Sequence, residues 1–285
     1  MSASSPSAGR GSPREFLVGL ARAFGGAILF SLPLLMTMEM WWLGLYMDRH
    51  RLALLMAVMV PVVVVLDRVA GFKPTSTWAA DVADGLVAYG VAFAAAAVVL
   101  PLLGVIGPGM PASEVVGKLS LQAVAGAFGA VLASSQLGGG GDEEEGVAEA
   151  AEERLGGYAA EVFLMMAGAL FLAFNVAPTE EVVLIAYLMT PWHALALAAV
   201  SLALMDAFVY ASAFRGGHAR PEGTPAWSVF LRFTVVGYAV ALAVSAYVLW
   251  TFGRFEDGTF SAHVTMTVVL GFPAAVGAAA ARLIL

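Results

Sequence analysis

The chain contains no cysteine, which excludes disulfides, thiolate nucleophiles and Cys-ligated zinc or iron–sulfur centres. Charge is scarce as well: 12% of its 285 residues are Asp, Glu, Lys or Arg, against roughly 25% in soluble domains. The four histidines form no His-Glu-x-x-His, so the common zinc-peptidase helix is absent. Gly-x-Ser-x-Gly, Walker A and dinucleotide fingerprints are missing too, which argues against an enzyme and against a bound cofactor. The 14 basic residues are scattered, so nucleic acid is not an expected partner.

What fills the chain is apolar. Hydrophobic residues make up 60% of it, and runs able to cross ~30 Å of hydrocarbon, about 20 residues each, can be placed eight times. They fall near 24–47, 51–67, 85–107, 115–137, 162–189, 194–214, 231–252 and 263–285. The expected class is all-α, a polytopic membrane helix bundle of about eight transmembrane helices. Glycines in GGAILF and AGAFGA suit close helix packing better than phosphate binding. The net charge of −7 comes largely from Asp142, Glu143, Glu144, Glu145, Glu149, Glu152 and Glu153, all in one short segment.

Charge also orients the spans. One side of the bundle collects Arg10, Arg14, Arg22, Arg68, Lys73, Arg154, Arg215, Arg220, Arg232 and Arg282, the other only Arg49, Arg51, Lys118 and Arg254. The positive-inside rule then places both termini in the cytoplasm. The first run is too long for a signal-peptide core and lacks a small-residue cleavage site, so it is expected to remain as an anchor.

Two segments align without gaps. Gly26 to Met47 lies over Gly168 to Met189 at an offset of 168 − 26 = 142, matching Gly26/Gly168, Thr37/Thr179, Glu39/Glu181 and Met47/Met189. Ser113 to Ser134 lies over Ser261 to Arg282 at 261 − 113 = 148, matching Ser113/Ser261 and Gly129/Gly277. Glycine and alanine identities between apolar helices carry little weight, whereas a shared Thr-x-Glu among so few acids carries more. The expectation is two fused four-helix repeats in parallel orientation. Residues 1–22 would form a disordered cytoplasmic tail, 23–137 the first repeat, 138–160 an acidic Gly-rich cytoplasmic linker and 161–285 the second repeat.

The acids inside these runs are the functional clue. An ionised carboxylate in hydrocarbon costs several kcal/mol and persists where it meets a partner, a cavity or a pathway. Glu39 and Glu181 would lie roughly 12 Å below the outer boundary, eight residues at 1.5 Å each. If the first and fifth spans met at a pseudo-twofold axis, the two acids could share a cation or a proton. Glu180 is an asymmetric neighbour, aligned with Met38.

Pro178 cannot donate to the carbonyl of Phe174, so a break there would free carbonyl oxygen and bring Asn175, Thr179 and Glu181 together. Pro33 and Thr37 stand similarly before Glu39. Asp206 would support the acids of the site or pass a proton along a relay, or else cap a helix near the cytoplasmic end. Asp67, Asp81 and Asp84 read as solvated or capping residues, Gln122 as interhelical glue, and His50, His193 and His263 as boundary residues.

The stretch FNVAPTEEVVLIAYLMTPWHALAL, Phe174 to Leu197, with LPLLMTMEMWW of the first span, resembles a bacterial family of integral membrane proteins built on a domain of unknown function. The resemblance implies an inner-membrane location and carries no activity. On residues alone, the leading expectation is a channel or coupled transporter for a proton or small inorganic cation. The alternative is a noncatalytic scaffold or accessory subunit whose acids serve helix packing or partner binding. The implied partners are the lipid bilayer and the cation, and a homo-oligomer is compatible with both readings.

Overall fold

The structure, a computed structural model, describes residues 13–70, 77–136, 157–214 and 226–284. The tail before Pro13 and the acidic linker as far as residue 156 lie outside them. Lys73, Arg154, Arg215 and Arg220 of the charge asymmetry lie outside them as well.

The described residues are all-helical. In chain order they form α1 (Pro13–Leu35), α2 (Met38–Tyr46), α3 (Arg49–Ala70), α4 (Trp78–Leu102) and α5 (Ala112–Gln136). Then come α6 (Gly157–Val176), α7 (Glu181–Leu188), α8 (Pro191–Phe214), the short α9 (Ala226–Val229), α10 (Val236–Thr251) and α11 (Phe260–Ile284). A π-helical turn, Phe230–Val235, joins α9 to α10. Eight stretches are long and apolar enough to cross a membrane, as the hydropathy pattern predicts. The side on which α1 begins is called near below, and the opposite side far.

The first and fifth spans, where Pro33 and Pro178 raised the expectation of a break, are each divided in two: α1 stops at Leu35 before α2, and α6 stops at Val176 before α7. Residues 13–22, expected in the tail, already belong to α1. Phe16, Leu17 and Val18 extend the apolar pattern and are exposed on the bundle surface.

The helices gather around two hubs. α5 is packed by α1, α2, α3 and α4, while α11 is packed by α6, α7, α8 and α10. Lipid tails are as apolar as leucine, so helices associate in a bilayer by close packing of small side chains. Both hubs are rich in them: Ala123, Ala125, Ala127 and Ala130 are buried on α5, and Ala274, Ala275, Ala278 and Ala279 on α11. The tightest crossings are glycine on glycine. Gly26 of α1 meets Gly129 of α5, and Gly168 of α6 meets Gly277 of α11, so closely that a Cβ on any of them would overlap the facing carbonyl.

The clusters join through a few contacts. Phe30 of α1 and Phe171 of α6 pack edge to face with ring centroids 5.4 Å apart. α3 leans on α6 and α10. On the far side Arg51 pairs with Glu256 at 2.8 Å and lies over the ring of Trp250.

At the near end of the first cluster, Asp81 is completely buried and ion-paired to Arg68, whose guanidinium lies 4.2 Å from the centroid of Trp78. This corrects the solvated or capping role read for Asp81. Capping of α4 falls to Thr77, whose side chain accepts from the amide of Ala80.

Candidate functional site: two interrupted spans

Each cluster contains one span that stops and restarts. In the first, Pro33 lies inside α1, and the chain leaves the helix three residues later at Met36 and Thr37. Thr37 is extended, with φ −96° and ψ 116°. The carbonyls exposed by the break are satisfied by neutral donors. Thr37 Oγ1 donates to Pro33 at 2.5 Å, Trp41 Nε1 to Leu35 at 2.8 Å and Gln122 Nε2, from α5, to Leu34 at 2.9 Å. Gln122 thus acts as interhelical glue, and its Oε1 is buried without a partner.

α2 does not leave the bundle after the break. Leu34 is tied to Gln122, ten residues into α5, and Gly44 abuts Gly117 and Lys118, five and six residues in. At 1.5 Å per residue these levels are roughly 15 and 8 Å inside the far end of α5. Glu39, half-buried in the first turn of α2, lies on the segment between them.

In the second cluster the break runs from Ala177 to Glu180 around a buried Pro178. Thr179 folds back, its amide and Oγ1 both donating to Val176 at 3.1 and 2.8 Å. Asn175 Nδ2 donates to Phe171 at 2.7 Å, while its Oδ1 is buried and unpartnered. Glu181 opens α7, and both it and Glu180 are exposed on the surface of the chain. Arg254, from the turn between α10 and α11, donates through Nη2 to the carbonyl of Pro178. No sequence motif singled out Arg254.

A glycine places this arginine. α10 ends with the amide of Gly253 on Trp250 and that of Arg254 on Leu249, at 3.1 and 2.9 Å, with Gly253 left-handed at φ +77°. This paired capping pattern needs a residue free of a Cβ penalty at its turn. α4 ends the same way: the amide of Gly104, φ +72°, bonds Pro101 and that of Val105 bonds Leu100. The residue launched from the matching turn is valine in one cluster and arginine in the other.

The remaining polar residues fall elsewhere. Asp206 accepts from Thr234 Oγ1 of the π-turn at 3.2 Å, and Thr234 is wholly buried. It lies 15 residues along α8 from Pro191, roughly 22 Å at 1.5 Å per residue. Asp206 therefore belongs to the near end and not to the Glu181 break. Glu39 and Glu181 are held by different hubs, α2 by α5 and α7 by α11. Among the described residues, no group of three or more His, Asp or Glu side chains is arranged to hold a metal ion.

No curated protein and no solved structure matches the chain. A family profile does, over residues 19–285. The chain belongs to the family described as "Putative integral membrane protein (DUF2391)".

Proposed function

We propose that the protein carries a proton or small inorganic cation across the bacterial inner membrane, as a channel or coupled transporter and not as an enzyme, with both termini cytoplasmic. One observation supports this above the others: two spans are interrupted on the far side, and each resumes with a glutamate in the first turn of its short helix. Irregular backbone at membrane depth is tolerated where it is buried in protein or lines a watered cavity. Half-helix ends and freed carbonyls at such breaks are the means by which many transporters hold ions.

In this reading Glu39 and Glu181 take the cation. Thr37, Asn175 and Thr179 shape the two breaks, Glu180 adds charge beside one, and Asp206 serves a later step near the opposite end. The matching plan of the clusters favours descent from two fused four-helix repeats. Their orientation is parallel, since four spans return the chain to its starting side.

Flux of H⁺, Na⁺, K⁺ and Ca²⁺ in proteoliposomes tests the reading. Wild type is expected to conduct at least one of them and Glu39→Gln/Glu181→Gln to lose that flux; unchanged rates in the double variant overturn the proposal.

A second reading follows from the exposure of Glu180 and Glu181. Carboxylates on the outside of an apolar bundle also suit a scaffold whose acids face a partner or a second copy. It predicts no flux in wild type and loss of assembly in the double variant, read by native mass spectrometry from detergent.

A further inference from the structure

Both breaks contain a primary amide, and both use it in the same way. At the first, Gln122 Nε2 donates to the carbonyl of Leu34 at 2.9 Å, and its Oε1 is buried without a hydrogen bond. At the second, Asn175 Nδ2 donates to the carbonyl of Phe171 at 2.7 Å, and its Oδ1 is likewise buried and bare. The carbonyl fixes which end of each amide faces it, because only the nitrogen end donates. Neither amide has a polar counterpart in the other cluster. The offset of 148 sets Gln122 opposite the fully buried Leu270, and the offset of 142 sets Asn175 opposite Pro33.

The oxygen at the first break belongs to the more deeply enclosed side chain, Gln122 being 2% exposed. A buried acceptor left unpaired in low dielectric is costly, and a donor or a cation relieves it. The polar side chains around it are directed elsewhere. Trp41 Nε1 and Thr37 Oγ1 donate to Leu35 and Pro33, and Ser31 turns back on Ala27 at 2.6 Å. Lys118, one turn outward on α5, pairs with Glu114 at 2.7 Å and donates to Val105 at 3.1 Å. Arg49 reaches the carbonyls of Gly44 and Leu45, at the opposite end of α2.

We propose that Gln122 Oε1 is an inner ligand for a monovalent metal cation, Na⁺ or K⁺, held at the first break, with Glu39 as the charge of that segment. The inference rests on the transport reading and narrows it from a proton or a cation to a metal ion. A carboxamide does not titrate, so its oxygen offers no resting place for a proton. Neutral amide and carbonyl oxygens do replace the water around hard metal ions. Glu39 is the only acid between Met36 and Tyr46, so the segment balances one positive charge, which suits a monovalent ion better than a divalent one. The second break suits the ion less, because the guanidinium of Arg254 already takes the carbonyl of Pro178.

The full chain in nanodiscs, at fixed pH and ionic strength, tests this through its thermal midpoint as Na⁺ or K⁺ replaces N-methylglucamine. Wild type is expected to show a saturable rise with one of the two metals. Gln122→Leu, which installs the residue of the matching hub position, should weaken the apparent affinity by about tenfold or more, the effect of losing one inner oxygen. No rise in wild type, or an equal response in Gln122→Leu, overturns the inference. A direct readout decides it even if Gln122→Leu fails to fold. Gln122 and Gln136 are the only glutamines, so Gln136→Ala carrying ¹³Cδ-labelled glutamine reports on the Gln122 carbonyl alone. Its resonance should shift over the same metal concentrations as the thermal midpoint, and an unmoved resonance overturns the inference. Proton flux without any metal response overturns this assignment and leaves the transport reading standing. A metal response that depends on Gln122, without flux of any ion, supports the ligand and overturns transport alone.

Discussion

The two clusters solve one packing problem with different chemistry at their polar positions. Each wraps a small-residue hub, crosses it at a glycine pair, and breaks one span before a glutamate. The first seals its near end with a buried ion pair, Arg68 on Asp81, where the second uses a neutral bond from Thr234 to Asp206. At the breaks the pattern reverses, with neutral donors in the first cluster and Arg254 in the second. Apolar architecture is thus shared, while charge placement distinguishes the halves. That is expected if packing tolerates little change and function uses the difference.

The comparison breaks most sharply at the near end. Arg68→Ala leaves Asp81, completely buried, without its guanidinium. Losing one partner of a buried pair costs about 3–5 kcal/mol, so the first cluster should unfold first in a denaturant titration in detergent. The paired variant Arg68→Met/Asp81→Leu should recover most of that loss, because the cost lies in the uncompensated charge. Full stability of Arg68→Ala alone would show that Asp81 is not held by this pair.

The glycine crossings come next and probe what the clusters share. Gly129→Ala and Gly277→Ala each force a Cβ into a facing backbone carbonyl. Overpacking of this kind costs about 1–3 kcal/mol, and the two losses should be similar. Gly90→Ala, on α4 with nothing within 4 Å of the added atom, is the matched control and should be neutral. Unequal losses at Gly129 and Gly277, read as thermal midpoints in the same detergent, would weaken the shared plan.

What was legible in sequence follows from the physics that writes it there. The spans were readable because a bilayer demands about 20 apolar residues whatever their identity. The helix stop before Glu181 was signalled by Pro178, whereas Pro33 sits within α1 and the chain breaks three residues later, where Thr37 and two carbonyl-capping side chains hold it open. The matches Gly26/Gly168 and Gly129/Gly277 looked cheap as identities. They turn out to belong to two close glycine crossings, Gly26 against Gly129 and Gly168 against Gly277, information that only a three-dimensional pairing supplies. Arg68 with Asp81, and Arg254 with Pro178, were invisible for the same reason, since each joins separate elements across a turn or a bundle.

A smaller effect tests the near end of the second cluster. Thr234→Val removes the hydroxyl that donates to Asp206 while keeping the shape of a fully buried side chain. A hydrogen bond lost to a carboxylate costs about 1.5–3 kcal/mol, below the loss for Arg68→Ala. A cost as large as that of Arg68→Ala would mean that Asp206 is as dependent on its partner as Asp81, and the contrast between the two near ends would collapse.

The smallest expected effect concerns the far-side corners that follow the short helices. Asp48 and Thr190 lie 142 residues apart (190 − 48 = 142), and each stands immediately before the next long helix. Asp48 Oδ1 accepts from the amides of His50 and Arg51 at 2.9 and 3.0 Å, and these bonds, that from Arg51 foremost, hold its carboxyl below the usual range. Thr190 instead donates its amide to His193 Nδ1 at 3.1 Å, a histidine in the role that glutamate plays in a capping box. Because the folded pKa of Asp48 is depressed, its contribution is fully present above the unfolded carboxylate value and is lost as pH falls through the folded one. Asp48→Asn, which still accepts a hydrogen bond but does not titrate, should remove that acid-side dependence, seen as a flatter plot of thermal midpoint against pH. Thr190→Val should leave the slope in that range unchanged, since the neutral corner has no carboxylate to protonate. A parallel change in both variants would assign the acid sensitivity to groups common to the two halves, and would make Asp48 an ordinary cap.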